Sequence, residues 1–482
     1  MKKYDHLLYK RGFLLTDLKT LSINNSVTLE IMKNWNKVYI DKYQILMEPS
    51  LKYGVCRRKR ETVVVLGLVL NPYNNEIDIQ KIAQSLCLKL KENKNLFLDE
   101  LDELSGRFTI VTFKDGNTEI YGDACGTRTI YYDTKSNNTL ISTHSFLISE
   151  IMQYQTSEVA KGVLANKTFR GRKYLPGLLS PFDEIKPLTP NTSYNIEKRQ
   201  VSRFFPREMN DKINFDESIE IITNVLKNQS TLLNKISKTL VSLTAGLDSR
   251  VTLAIQSSQN TDSKYFTHYN SDNIEPYLED MIIAEKLARS LKLDFSQYGY
   301  STKEEQEYLQ DFRYVWQRNI GMYRGSLKQF KMYTDHLDDN RIHIRSNVAE
   351  IARVYYKDRE KDPTSDHLAS LFSKSEYGKN EFVIKQFDDF IDTTSFLSEN
   401  FYNYNYADLF YWEHRMGLWH SWLVLESDTA FETFVPFNNR KLLKTMLSVP
   451  EEYRGNDELM IAVLKKTNSN LLDYPVNKKI IK

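Results

Sequence analysis

Between residues 239 and 255 the chain commits itself to one kind of local architecture. Thr239-Leu240-Val241-Ser242-Leu243 is a short apolar strand, and Thr244-Ala245-Gly246-Leu247-Asp248-Ser249 is a tight loop of small and polar residues. Val251, Leu253, Ala254 and Ile255 then carry a helix away from it. Such a strand–loop–helix aims several backbone N–H groups and the positive end of a helix at one point, which suits a phosphate. Ala245 and Gly246 let an anion approach the backbone, because larger side chains would obstruct it. Thr244 and Ser249 add hydroxyl donors, and Asp248 is placed to hold Mg²⁺ against the phosphate charge. The same residues would also serve an ordinary strand-to-helix turn in which Asp248 and Ser249 only cap the helix.

The surroundings of this unit agree with it. After residue 215 long helical segments (219–226, 277–291 and 406–425) surround a few short apolar strands. Strands with helical crossovers build a parallel, doubly wound α/β sheet. The first two hundred residues have another texture. Residues 62–70 (TVVVLGLVL) form a β-branched strand that stops at Asn71-Pro72-Tyr73-Asn74-Asn75. Ile79, Ile82, Ala83, Leu86 and Leu90 recur at helical spacing and predict a helix of about three turns. Residues 108–113, 118–121, 129–132 and 139–142, separated by Asp-Gly, Gly-Thr and Asn-Asn punctuation, read as antiparallel strands. A domain boundary is expected near residues 206–212.

With 482 residues, two domains are the default expectation. A net charge of +2 gives no basic footprint for nucleic acid, and the runs 57–60 and 170–173 read as solvated loops. Three cysteines, Cys56, Cys87 and Cys125, provide neither a disulfide framework nor metal-ligand spacing. The start of the chain does not lead into a signal-peptide apolar region. The longest aliphatic stretch, 63–70, is far below the ~20 residues needed to cross a bilayer. A cytoplasmic location is expected.

The 244–249 loop resembles the SGGxDS signature of the PP-loop ATP pyrophosphatases, read here as TAGLDS, and lacks the Gly-Lys-Ser/Thr of a Walker A loop. In that family ATP is cleaved to AMP and pyrophosphate. Further segments resemble the asparagine-synthetase branch: Pro436-Phe437-Asn438-Asn439-Arg440 with Leu442-Leu443, and Arg415-Met416. Arg415 and Arg440 would then contact phosphate or a substrate carboxylate; pairing with Glu413 or Glu432 is the plainer alternative. Residues 277–291, with Asp280, Ala284 and Ala288 at four-residue spacing, are similar to the helix after the family's second strand. Phe266-Thr267-His268 would end that strand near the adenosine. Residues 346–351 stand where the family has SGEGxDE, which makes Glu350 a metal or pyrophosphate-side carboxylate. Its alternative is a pair with Arg353. Residues 475–479 resemble the tail that delivers a lysine to the adenylate, here Lys478, where the alternative is a solvated tail.

The N-terminal half also bears a resemblance, to the glutaminase domain of the same enzymes. Leu104, Gly106 and Phe108, followed by Asp123, Gly126, Arg128, Tyr131 and Tyr132, trace its course, and 185–190 resembles its closing segment. The family's nucleophile is an N-terminal cysteine whose free amine acts as base. Met1-Lys2-Lys3 offers no thiol and Cys125 reads as a small core residue, so no glutamine hydrolysis is expected.

The resemblance therefore implies an Ntn-hydrolase-like, β-rich α+β domain over 1–208, without its catalytic cysteine. Over 209–482 it implies a doubly wound α/β synthetase domain of the adenine nucleotide alpha hydrolase type. The cofactors implied are ATP and Mg²⁺, and the substrates a small-molecule carboxylate and ammonia or an amine. Neither nucleic acid nor membrane is expected as a partner, and homo-oligomerisation is left open. Asp248, Lys478 and Arg415 are the expected catalytic residues, with 244–249 and Thr267 holding nucleotide and Asp248 and Glu350 holding metal. A non-catalytic nucleotide-binding scaffold and an RNA-modifying PP-loop enzyme are the rival readings.

Overall fold

The computed structural model describes residues 2–166, 174–259, 262–303, 309–321, 327–359 and 362–476. Strands numbered in chain order up to residue 203 are β1 (Phe13–Thr16), β2 (Asn36–Ile40), β3 (Tyr43–Met47), β4 (Tyr53–Arg57), β5 (Glu61–Leu70) and β6 (Ser105–Lys114), then β7 (Asn117–Gly122), β8 (Tyr131–Asp133), β9 (Leu140–Ser142), β10 (Ile185–Pro187), β11 (Thr192–Asn195) and β12 (Gln200–Arg203). They form two antiparallel sheets, in the orders β10-β8-β9-β1-β3-β2 and β12-β11-β7-β6-β5-β4.

The two sheets pack face to face. Phe13, Leu15, Ile45 and Met47 of the first meet Val64, Leu66, Val111, Ile120 and Tyr194 of the second in one buried cluster. The β-branched run of β5 is buried along nearly its whole length because it lies inside the second sheet with both faces covered. Its outer face carries the Ile79–Glu92 helix, which presents Ile82, Ala83, Leu86 and Leu90, and the Lys94–Glu103 helix, which presents Phe97, Leu98 and Leu101. Asp78 caps the first of these by accepting from the Gln80 N–H.

Five further strands, β13 (Thr239–Ser242), β14 (Ser263–Asn270), β15 (Asp294–Tyr300), β16 (Ile342–Ile344) and β17 (Thr433–Phe434), form a third sheet. Every pairing in it is parallel, in the order β15-β14-β13-β16-β17. The Leu247–Ser257 and Leu278–Ser290 helices make the crossovers β13→β14 and β14→β15. Apolar clusters line both faces: Val241 and Tyr265 pack with Val251 and Ile222, while Leu240 and Phe266 pack with Phe312 and Phe330. The mixed α/β architecture with a parallel sheet is thus the one its strand–loop–helix signal indicates. The chain moves outward from β13 through β14 to β15, then returns to place β16 on the other side of β13. Ligands in such sheets bind at this switch point, beyond the carboxyl ends of the two strands.

Buried polar contacts join the sandwich to the parallel sheet. Arg107 on β6 forms a double hydrogen bond with Asp428 and donates to the Thr127 carbonyl at 2.8 Å. Arg128 reaches Glu432 at 3.1 Å and the Arg11 carbonyl at 2.6 Å. Gly67 makes room for this: a Cβ there would lie 2.3 Å from the Arg107 carbonyl oxygen and 2.7 Å from Arg128 Nε, at a φ of +111°. Asn438 donates to the Gly106 carbonyl at 2.6 Å and accepts from the Cys125 N–H at 2.8 Å. Arg440 is buried at the same junction, against Asp102 and Asn191. Neither Glu413 nor Glu432 pairs with it: Glu413 pairs with Arg203, and Glu432 with Arg11 and Arg128.

Residues 406–427 form one continuous helical stretch, but its middle, Tyr411–His420, is wound as a π-helix. Among the described residues no helix is long and apolar enough to cross a membrane.

Candidate functional site

A cavity of about 340 Å³ opens at the switch point. Its lining includes Ser242, Thr244, Gly246, Leu247, Asp248 and Ser249 from the end of β13, Thr267 and His268 from β14, and Arg345, Asn347 and Glu350 from beyond β16.

The loop divides its backbone donors into two sets. Thr244 N–H donates to Ser249 Oγ at 2.9 Å, Gly246 N–H to Thr244 Oγ1 at 3.3 Å, and Ala245 N–H to Asp280 Oδ1 at 2.7 Å. These bonds set the loop's shape and remove three amides from those expected to face a ligand. The two hydroxyls act as acceptors within the loop, so each keeps its own proton to donate outward. Gly246 is the N-cap of the Leu247–Ser257 helix, and no side chain caps that helix. The first-turn N–H groups of Leu247, Asp248 and Ser249 are therefore the ones that present themselves to an anion, together with the helix dipole.

Asp248 and Glu350 bring two carboxylates to the same wall. Asp248 is only 7% exposed, and Arg353 Nη1 donates to its Oδ1 at 2.7 Å. Arg353 Nε in turn holds Asp457 at 2.8 Å. Burial and then the neighbouring Glu350 push the Asp248 carboxyl up to about 8, against the pull of Arg353. Glu350 sits on the short turn Ala349–Ala352, entered through Val348 at a φ of +86°. A β-branched residue is rarely found there, and the strain costs about 1–3 kcal/mol.

Two adjacent carboxylates suit a hard cation such as Mg²⁺, which commonly takes one or two protein carboxylates and fills its shell with phosphate oxygens and water. Among the described residues no group of three or more His, Cys, Asp or Glu comes together to hold a metal.

The other side of the cavity lies on one face of the sheet. His268 accepts at Nε2 from the Gln329 amide at 3.0 Å and hydrogen-bonds through Nδ1 with the Tyr333 hydroxyl at 2.8 Å. Burial and then Arg345 lower its pKa to about 4, so the ring is neutral. His343 is 2% exposed, and neither ring nitrogen has a hydrogen-bond partner among the described residues. Burial, Arg345 and His268 keep it neutral as well. Arg345 donates from Nε to Asn347 Oδ1 at 2.5 Å.

No family model matches the sequence, and no curated protein matches it. Solved structures match parts of the chain. An NMN synthetase from Francisella tularensis is 14% identical, with 38% of this chain and 73% of that one covered at a TM-score of 0.21. An NH3-dependent NAD synthetase from Campylobacter jejuni is 15% identical over 30% and 62% of the two chains, at a TM-score of 0.20. A glutamine PRPP amidotransferase from B. subtilis is 11% identical over 64% and 65%, at 0.24. At TM-scores this low none of them carries weight in assigning a function, which rests on the cavity's own residues.

Of the residues singled out from sequence, Thr244, Gly246, Leu247, Asp248, Ser249, Thr267 and Glu350 line this one cavity. Ala245 is buried in the loop with its N–H turned to Asp280. Arg415 is not among the lining residues. Its guanidinium lies over the rings of Trp419, Tyr355 and Tyr411, 4.8, 5.0 and 5.8 Å from their centroids. Lys478 lies outside the described residues. Arg353, the partner that the alternative reading gave to Glu350, forms its ion pairs with Asp248 and Asp457.

Sequence reasoning passed over Tyr333, His343 and Arg345. The alternation Arg341-Ile342-His343-Ile344-Arg345 was the available signal, since period two puts His343 and Arg345 on one face of a strand.

Proposed function

We propose that the chain is an ATP- and Mg²⁺-dependent amide-forming ligase of the asparagine-synthetase type. It would adenylate a small-molecule carboxylate and pass the acyl group to ammonia or an amine. One observation carries this reading: the uncapped first turn of the Leu247–Ser257 helix opens into the switch-point cavity beside two carboxylates.

In this reading a carboxylate oxygen attacks the α-phosphorus, the bond to the bridging oxygen breaks, and pyrophosphate departs. The N–H groups of Leu247, Asp248 and Ser249 hold the departing charge, as oxyanion donors worth about 3 kcal/mol each in other enzymes. The Thr244 and Ser249 hydroxyls add donors. Thr267 and His268 flank the nucleoside. The amine then attacks the acyl carbon, AMP leaves and the nitrogen loses a proton. Asp248 and Glu350 would hold Mg²⁺, which supplies charge neutralisation at the phosphates. Lys478 would stabilise the charge that builds up as the amine attacks, whereas Arg415, expected at phosphate or the substrate carboxylate, is not among the residues that line the cavity.

Residues 1–208 form, in the same reading, a glutaminase-like domain that has become a scaffold for residues 209–482. Cys56, Cys87 and Cys125 are all buried, and burial raises the Cys87 and Cys125 thiols, Cys87 to about 12. None of the three is a ready nucleophile.

The Arg353–Asp248 ion pair favours a second reading, a nucleotide-binding protein without turnover, because it occupies the carboxylate that a cation would need. Mg-ATP offered with a pool of amino acids, dicarboxylates and ammonium separates the two. The ligase reading expects AMP and pyrophosphate from the wild type and none from Asp248→Ala. ATP binding without AMP in any pool would favour the second reading, and wild-type turnover by Asp248→Ala would overturn the mechanism.

A further inference from the structure

Among the described residues the cavity contains one cation that no ion pair satisfies. Arg353 is divided between Asp248 and Asp457. Arg345 has no such partner: among the described residues its side chain makes one hydrogen bond, through Nε to Asn347, and no ion pair, while its backbone N–H donates to the Phe434 carbonyl. It follows directly on β16, one residue past the last pairing with β13, Ile344 with Val241. Neighbouring strands lie about 4.8 Å apart, so Arg345 stands beside the end of the strand that feeds the phosphate loop.

His343, two residues earlier on the same face, is buried and lines the same cavity with both ring nitrogens unpartnered. Buried polar atoms without partners are costly and are retained where a ligand or water completes them. A guanidinium offers its remaining N–H groups as a planar fork that matches phosphate oxygens.

We propose that Arg345 is a second anion-binding group of this cavity, with His343 beside it as a neutral hydrogen-bonding wall. The preferred ligand then carries two linked anionic centres, one over the first turn of the Leu247–Ser257 helix and one at Arg345. A diphosphate unit is the chemistry that meets this requirement. The inference rests on the phosphate-binding reading of the loop but not on turnover, so it is testable by binding alone.

Titration calorimetry with inorganic phosphate, pyrophosphate and Mg-ATP, on wild type, Arg345→Met and Arg345→Lys, tests it. The wild type is expected to bind pyrophosphate at least tenfold more tightly than phosphate. Loss of a charge-assisted fork in Arg345→Met should weaken pyrophosphate about 10- to 100-fold and leave phosphate within about threefold. Arg345→Lys, which keeps the charge and loses the fork, should fall between and serves alone if the Met variant does not fold. Pyrophosphate and Mg-ATP binding unchanged in both variants would overturn the proposal while the loop's role stood. A wild type that binds none of the three probes would overturn the loop reading and the proposal together.

Discussion

Replacing Asp248 by Asn tests the electrostatics of the site without touching its shape, because the amide oxygen can still accept from Arg353. The wild-type carboxyl titrates near 8 in the folded protein and at an ordinary 3.8 when unfolded. Between these values the folded state holds a proton that the unfolded state has released. Stability from this group is therefore fully present below about 4 and is lost as pH rises toward 8. The slope is about 1.4 kcal/mol per pH unit. From pH 5.5 to 7.5 the wild type should thus lose about 3 kcal/mol relative to Asp248→Asn, and the difference should level off above pH 8. Urea unfolding of both proteins at pH 5.5, 6.5, 7.5 and 8.5, in chelator, measures it. Glu350 contributes to the shift, so in Glu350→Gln the loss of stability should level off at a lower pH than in the wild type. Parallel curves for wild type and Asp248→Asn would refute the reasoning, since they would mean that Arg353 outweighs burial and Glu350 and keeps the carboxylate ionised throughout.

Two more outcomes follow from the buried contacts. Arg107→Met leaves Asp428 without its double hydrogen bond in a fully buried setting, and should cost about 3–5 kcal/mol in urea unfolding; a loss under 1 kcal/mol would mean that water replaces the pair. Iodoacetamide should label none of the three cysteines in the native chain and all three in urea, read by intact mass; rapid native labelling of one would reopen the question of a thiol nucleophile.

Local pattern made much of the fold legible. The β5 run and the Ile82–Leu90 spacing each follow from burial on defined faces, and the observed strand and helix match them within a few residues. The 239–249 unit carries its own topology, because a strand that turns straight into a helix begins a crossover. What local pattern could not carry were partners distant in sequence. Nothing near Arg440 indicates that it packs against Asp102, some 338 positions away, although its segment looked like part of a site. The π-wound stretch 411–420 has the same apolar texture as an α-helix and gives no separate signal. Asp280 was visible only as one position in a helical spacing, while its structural work is to hold the Ala245 N–H across 35 residues. Arg345 escaped because β16 is three residues long, too short for alternation to stand out from loop.

The charges of the cavity lead to a last step. With Asp248 ionised, as holding a cation requires, the lining sets Asp248 and Glu350 against Arg345 and Arg353, with His268 and His343 held neutral, so the formal sum is zero. A bare triphosphate would bring about four negative charges into a pocket with no net charge to meet them, and partial burial makes such an imbalance expensive. A triphosphate that enters already carrying a divalent cation halves that imbalance. It also lets the cation face the carboxylates while the phosphates face the helix N-terminus and Arg345. In this arrangement the cation and Arg353 compete for Asp248. Nucleotide binding should therefore release Arg353 toward Asp457, and the ion pair that speaks for a silent nucleotide-binding protein becomes the resting state of an active one.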